Sequence, residues 1–284
     1  MRLFLYTFLG LLFLLLSPLH AQVTREEWDY NPLSQRTHSS MLGIGSKNQL
    51  DTYLSPNEYT GTEVRFLQEN IRPTRLLKQR VSMQSLLQIN GSYTKSPTED
   101  GKYMSGLVDW NLALHYSWKV SQKLRLMAGP QFGLHGGFIY NTRNGNNPAQ
   151  ARLSADIGIS GIAVYDFRIR QQSFTLHYQA DLPLAGLMFS PQYGQSYYEI
   201  FSLGHSKHNV CFTSPFAAVT FNQLLLLDVP LGKLIYRIGY EGCIRQSHVN
   251  EIKTHDWSHL FIIGIVKHFA AVKGHHKQSD SMPY

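Results

Sequence analysis

Met104–Lys119 reads MSGLVDWNLALHYSWK. Taken two residues at a time, one side carries Met104, Val108, Trp110, Leu112, Leu114, Tyr116 and Trp118, and the other Ser105, Asp109, Asn111, His115, Ser117 and Lys119. Successive side chains of a strand point to opposite faces, so a period of two makes this a β-strand with one apolar and one largely polar face. Which face lies inside is the question on which the fold turns.

The same alternation recurs on both sides of this stretch. Val81–Tyr93 sets Val81, Met83, Leu87 and Ile89 against Ser82, Gln84, Gln88 and Asn90, and Leu124–Tyr140 sets Leu126, Phe132, Leu134 and Phe138 against Arg125, Gln131 and His135. Further on, Ile157, Ile159 and Tyr165 oppose Asp156, Asp166 and Arg168; Phe174, Leu176 and Tyr178 oppose Thr175, His177 and Gln179; and Tyr236, Ile238 and Tyr240 oppose Arg237, Glu241 and Arg245. Weaker strands are expected at Leu42–Leu50 and Thr62–Ile71, and closing ones at Ala217–Val229 and Trp257–Phe269. The total is about ten strands, or twelve if Tyr197–Pro215 hides another hairpin.

Volume decides the orientation. A soluble barrel of about ten strands holds only a few layers of side chains, too few for this many aromatic and branched residues. The sequence therefore predicts a transmembrane antiparallel up-and-down β-barrel with the apolar face toward lipid. A two-sheet sandwich is the soluble competitor. Against it, short turns near Ser121, Gln171 and Pro230 alternate with what read as long polar loops near Glu99, Asn146, Tyr193 and Asn250. Tyr116 and Trp118 at one end, and Tyr140 and Trp257 at the other, suit two aromatic girdles.

The remaining segments follow. Arg2 and the apolar run Leu3–Leu16, then Ser17–Ala21, make 1–21 a cleaved secretory signal peptide. Residues 22–38 are expected to be a periplasmic lead, 39–272 an outer-membrane barrel, and 273–284 a disordered polar tail. The formal charge of +7 suits anionic headgroups, but no concentrated Lys/Arg block points to nucleic acid. Placing Cys211 and Cys243 on one hairpin turning near Pro230 puts them about eight residues out of register, so they are expected to be unpaired. The two strands that must close the barrel are the least regular: the first is Gly-rich, and Lys267 interrupts the row Phe261, Ile263, Ile265, Phe269.

Chemistry-bearing residues are few. Asp109, His115, His135 and His177 share the polar face and could form an acid/base group, with Asp109, His115 and His135 the catalytic candidates, though no nucleophile motif adjoins them. With Asp109, the residues Arg125, Asp156, Arg168, Arg237, Glu241 and Arg245 are expected to pair as a polar network in the lumen. His205/His208 and His275/His276 lack the helical frame of a metal motif, and neither a metal nor a cofactor is expected. The binding candidates are Asp51, Tyr53, Tyr59, Tyr193, Tyr197 and Tyr198.

Leu42–Glu69, LGIGSKNQLDTYLSPNEYTGTEVRFLQE, is the most idiosyncratic stretch, with Asp51–Pro56, Tyr59 and Gly61 its most specific part. It resembles an uncharacterised Bacteroidota-type outer-membrane β-barrel family, the domain of unknown function 3316 family. The resemblance implies location and barrel fold and brings no catalytic residues. On the residues alone, Ser55–Glu58 reads as a turn. The reading favoured is a non-enzymatic outer-membrane barrel: structural, surface-binding or a narrow pore. The alternatives are an outer-membrane hydrolase using lumen Asp and His, and a soluble exported β-protein binding a hydrophobic ligand. Outer-membrane lipid, lipopolysaccharide and the barrel-assembly machinery are the expected partners; a protein partner is not specified.

Overall fold

The computed structural model describes residues 35–270, apart from 146 and 233. The signal peptide, most of the lead and the tail expected from the sequence lie outside the described residues. The strands are β1 (Gln35–Asp51), β2 (Ser55–Pro73), β3 (Val81–Lys95), β4 (Lys102–Lys119), β5 (Leu124–Asn141), β6 (Ala149–Ile169), β7 (Gln172–Phe189), β8 (Val210–Thr213), β9 (Ala218–Leu231), β10 (Leu234–Val249) and β11 (Ile252–Ala270). Each pairs antiparallel with its sequence neighbour, except that β7 passes over β8 to reach β9, and β1 closes on β11. The result is a closed ten-strand up-and-down barrel with β8 as a short spur on β7.

The irregular first and last strands are paired along their whole length, from Gln35 opposite Ala270 to Asp51 opposite Thr254. Lys267 points outward beside Phe269 at the end of β11. Its long stem can lie along the wall while the ammonium reaches the polar boundary.

The apolar face is outside. Leu42, Val64, Ile89, Val108, Leu134, Ile157, Leu225 and Ile263 are all exposed on the barrel wall, while Lys47, Glu63, Arg65, Asp109, His115 and Glu241 are buried within it. On β4 the outward row runs from Met104 to Trp118. At a barrel strand's usual rise and tilt this spans on the order of 35 Å, enough for a hydrocarbon core of about 30 Å. Trp110 sits in the middle of that row, and its indole N–H donates to Ser85 Oγ on the next strand at 3.0 Å. Tyr116 and Trp118 meet edge-on at one end, and His255 and Trp257 stack at the other.

Three features depart from the sequence reading, while the count of ten barrel strands agrees with it. The hairpin between β1 and β2 turns at Thr52–Leu54, and Ser55–Glu58 already belong to β2; the Asp51 carbonyl accepts from Leu54 N and its carboxylate from Tyr53 N, which tightens the reversal ahead of Pro56. The expected long loop near Asn250 is a two-residue turn, with Asn250 and Glu251 both at positive φ (52° and 63°), the tight-hairpin geometry that matches strand twist. The last-but-one hairpin pivots at Gly232, beyond Pro230, so Cys243 faces Asn222. Cys211 lies on β8 opposite Met188, and both cysteines are free. Tyr197–Pro215 holds a short helix, α1 (Tyr197–Phe201), and β8, with no further barrel hairpin.

Candidate functional site

Inward-facing side chains fill the barrel, and they do so in tiers set by strand register. In the central tier Arg65 donates from Nε and Nη2 to Glu63 Oε1 (2.8 and 2.5 Å) and from Nη1 to Glu241 Oε1 (2.6 Å). Glu63 Oε2 takes Lys47 Nζ at 2.7 Å and Ser258 Oγ at 2.6 Å, and Lys47 also reaches Asp256 at 2.6 Å. Toward the short turns, Arg237 spans Asp228 and Glu69 (2.6 and 2.7 Å), and His177 meets Asp228 at 3.0 Å. An apolar layer packs beside these tiers: Met41, Leu67, Leu86, Leu224, Leu226, Leu260 and Ile262. A water-filled channel would leave inward side chains accessible. Here Arg65, Leu67, Leu260 and Ile262 are each less than 2 % exposed.

The third tier holds the acid/base candidates. Asp109 faces His135 across the β4–β5 ladder. His135 Nδ1 lies 2.7 Å from Asp109 Oδ1 and Nε2 lies 3.0 Å from Asp156 Oδ2, while Arg245 reaches Asp109 from the far wall at 2.9 Å. Gly133 makes this row possible: a Cβ there would stand 2.7 Å from both Asp156 Oδ1 and His135 Nε2. His115 is apart from the row, buried and hydrogen-bonded to Ser160 Oγ at 2.9 Å. Each nitrogen of His135 faces a carboxylate, an arrangement the doubly protonated ring satisfies. Neither nitrogen is left to activate a water or a hydroxyl.

Of the expected lumen network, Asp109, Asp156, Arg237, Glu241 and Arg245 are in place. Arg125 and Arg168 are not: they stand at the short-turn rim, opposite Lys119 and Ser173, and neither makes an ion pair among the described residues. The inward/outward alternation runs past the end of the lumen, so parity alone could not exclude them. Lys47, Glu63, Arg65, Glu69, Asp228 and Asp256 extend the network; their signal was charge at inward parity.

The binding candidates divide. Asp51, Tyr53 and Tyr59 form a plug at the loop end of the lumen. Asp51 is buried and takes Arg152 Nη2 at 2.9 Å, Tyr59 stacks on Tyr103 with centroids 3.6 Å apart, and Tyr53 donates to the Gln195 carbonyl at 2.8 Å. Tyr197 accepts from the Ala151 amide at 2.7 Å, tying α1 to β6. Tyr193 and Tyr198 are exposed on the 190–217 segment beside exposed Phe201 and Phe216.

The opposite rim is basic. Arg36, Arg72, Arg75, Arg80, Lys119, Lys123, Arg168 and Arg170 come from separate strand ends and short connections, and all are exposed. In the sequence they are dispersed, so no charge block announced them.

A family model described as "Protein of unknown function (DUF3316)" matches residues 7–276. No curated protein matches the chain. Among solved structures, the transport unit of the autotransporter AIDA-I from Escherichia coli is similar over 91 % of this chain and 94 % of that one, at 7 % identity and a TM-score of 0.49. The translocator domain of autotransporter NalP from Neisseria meningitidis covers 85 % and 90 %, at 10 % identity and 0.38. An outer membrane channel from Pseudomonas putida F1 covers 87 % and 100 %, at 7 % identity and 0.38.

Proposed function

The chain belongs to that DUF3316 family, whose description assigns no activity, and from its own geometry we propose that it is a non-enzymatic outer-membrane barrel with a closed lumen. What carries the reading is the burial of its inward charges: ion-paired arginines and carboxylates, interleaved with an apolar layer, occupy the space a pore would need. The exposed apolar belt supports residence in a bilayer, since a soluble protein rarely leaves a patch of this extent in water. The basic rim suits anionic lipid headgroups at one boundary. At the other boundary, exposed Tyr193, Tyr198, Phe201 and Phe216 suit contact with lipopolysaccharide or a partner, which makes the loop end the working surface. Insertion by the barrel-assembly machinery is part of the proposal.

Planar-bilayer recording tests it. The purified full chain, shown to be folded by a heat-dependent shift in gel migration, is expected to give no steady single-channel current. Large, sustained unitary currents would overturn the closed lumen.

A further inference from the structure

The barrel wall divides on one side. Hydrogen-bonded pairing of β7 with β9 runs from Thr175–Asp228 to Asp181–Asn222 and stops. Beyond it β7 continues against β8, from Gly186–Thr213 to Phe189–Val210, while β9 from Ala218 to Phe221 is held only by β10. The stop has a local cause. Pro183 has no N–H to offer β9, and Leu184 is the extra residue of a bulge against β6, between Ile157–Ala185 and Gly158–Pro183. Residues 182–185 of β7 and 218–221 of β9 therefore face one another without ladder pairing within the belt, where lipid cannot satisfy backbone N–H and C=O groups.

A cavity of about 110 Å³ lies behind this seam. Its lining takes outward-facing Leu184 together with inward-facing Arg152, Asp156, Thr220 and Arg245. Two buried polar atoms here have no partner among the described residues: Arg152 Nε, a donor, and Asp156 Oδ1, an acceptor. Outside, β8 sets exposed Phe212 beside exposed Leu187, a greasy shelf at the mouth of the seam.

From these features we infer that the seam is a lateral binding site for a single-chain amphiphile with a small uncharged head bearing hydroxyl or amide groups. The chain lies along Leu184, Leu187 and Phe212, and the head enters the cavity, donating to Asp156 and accepting from Arg152. The cavity is smaller than the 150 Å³ or so that accommodates benzene, which limits the head to a few heavy atoms. The lining charges are mutually balanced, Arg245 on Asp109 and Arg152 on Asp51, so a charged head meets no free counter-charge. This goes beyond the closed-lumen reading, because a lateral pocket needs no pore.

The test is titration of 1-dodecanoylglycerol onto the full chain in micelles, read by native mass spectrometry, with dodecanoate and dodecyltrimethylammonium as charged analogues. One bound dodecanoylglycerol is expected, at least tenfold tighter than either analogue. Ala218→Trp, which fills the seam, should weaken it tenfold or more, and Ala163→Trp, on the outer wall, should not; Thr220→Met replaces Ala218→Trp if that variant lacks the heat-dependent gel shift. Equal affinity in the seam-filling variant, no saturable adduct on the parent, or preference for a charged analogue would each overturn the assignment. The gel shift reports separately whether the barrel itself is formed.

Discussion

Replacing Arg65 by methionine should destabilise the barrel more than any other single lumen change. Arg65 is fully buried and, among the described residues, is the only cation on Glu241, whose other contact there is Gln88 Nε2 at 2.8 Å. Methionine keeps much of the volume but leaves Glu241 as a buried, uncompensated carboxylate. Glu63 fares better, since Lys47 and Ser258 still hold its second oxygen. Breaking one side of a buried pair costs about 3–5 kcal/mol, and the loss should sit at the upper part of that range because Glu241 Oε2 already lacks a partner. Glu241→Gln removes the charge while leaving Arg65 on Glu63, so its cost should be about 1.5–3 kcal/mol, that of a charged hydrogen bond. The double variant Arg65→Met/Glu241→Gln should recover part of the loss, with a coupling of about 1–3 kcal/mol. Urea titration in lipid vesicles, read by the gel-migration shift, gives all three values. An Arg65→Met midpoint within experimental error of the parent, or strict additivity in the double variant, would refute the claim that the central tier is a dehydrated ion-pair lock.

Three further outcomes are expected. Gly133→Ala should cost about 1–3 kcal/mol by overpacking the Asp109–His135–Asp156 row and should move the His135 ring resonances in a ¹⁵N spectrum. Maleimide should label Cys211 and spare Cys243 in the folded barrel, because Cys243 is buried and Cys211 only partly covered; both should react after boiling in detergent. In the 96–101 loop, the hydroxyls of Thr98 and Ser96 hold the Asp100 carboxyl below its usual range. The loop order it confers is therefore complete above the ordinary carboxylate range and is lost as pH falls through the lowered midpoint; Thr98→Val should raise that midpoint in an NMR titration.

The alternation in Met104–Lys119 made the fold legible because the outward rows of β4 from Met104 to Trp118, of β5 and of β6 carry no polar residue other than tyrosine. Volume then fixed which face was outside. Two apolar runs, Leu224–Leu227 and Leu260–Val266, ignore parity and so mark strands apolar on both faces; they supply Leu224, Leu226, Leu260 and Ile262 to the inner layer. Charge partners were less legible. Asp109 and His135 meet through one hairpin register, whereas Arg65 meets Glu241, and Arg245 meets Asp109, across the lumen, which depends on the closure and stagger of the whole barrel. The asymmetry of loop lengths was overstated, since the β10–β11 turn is two residues at positive φ that no glycine announced. The seam between β7 and β9 was signalled only by Pro183, a residue a strand tolerates at an edge.

The orientation of the two faces is tested most directly by fluorescence quenching with brominated lipids. In a Trp28→Phe background the emitting residues are Trp110, in the middle of the outward row, and Trp118 and Trp257 near its two ends. Lipids brominated deep in the acyl chain should quench Trp110 most strongly, and those brominated near the headgroup should quench Trp118 and Trp257. Equal, weak quenching at every depth, with the protein recovered in the soluble fraction, would contradict the account.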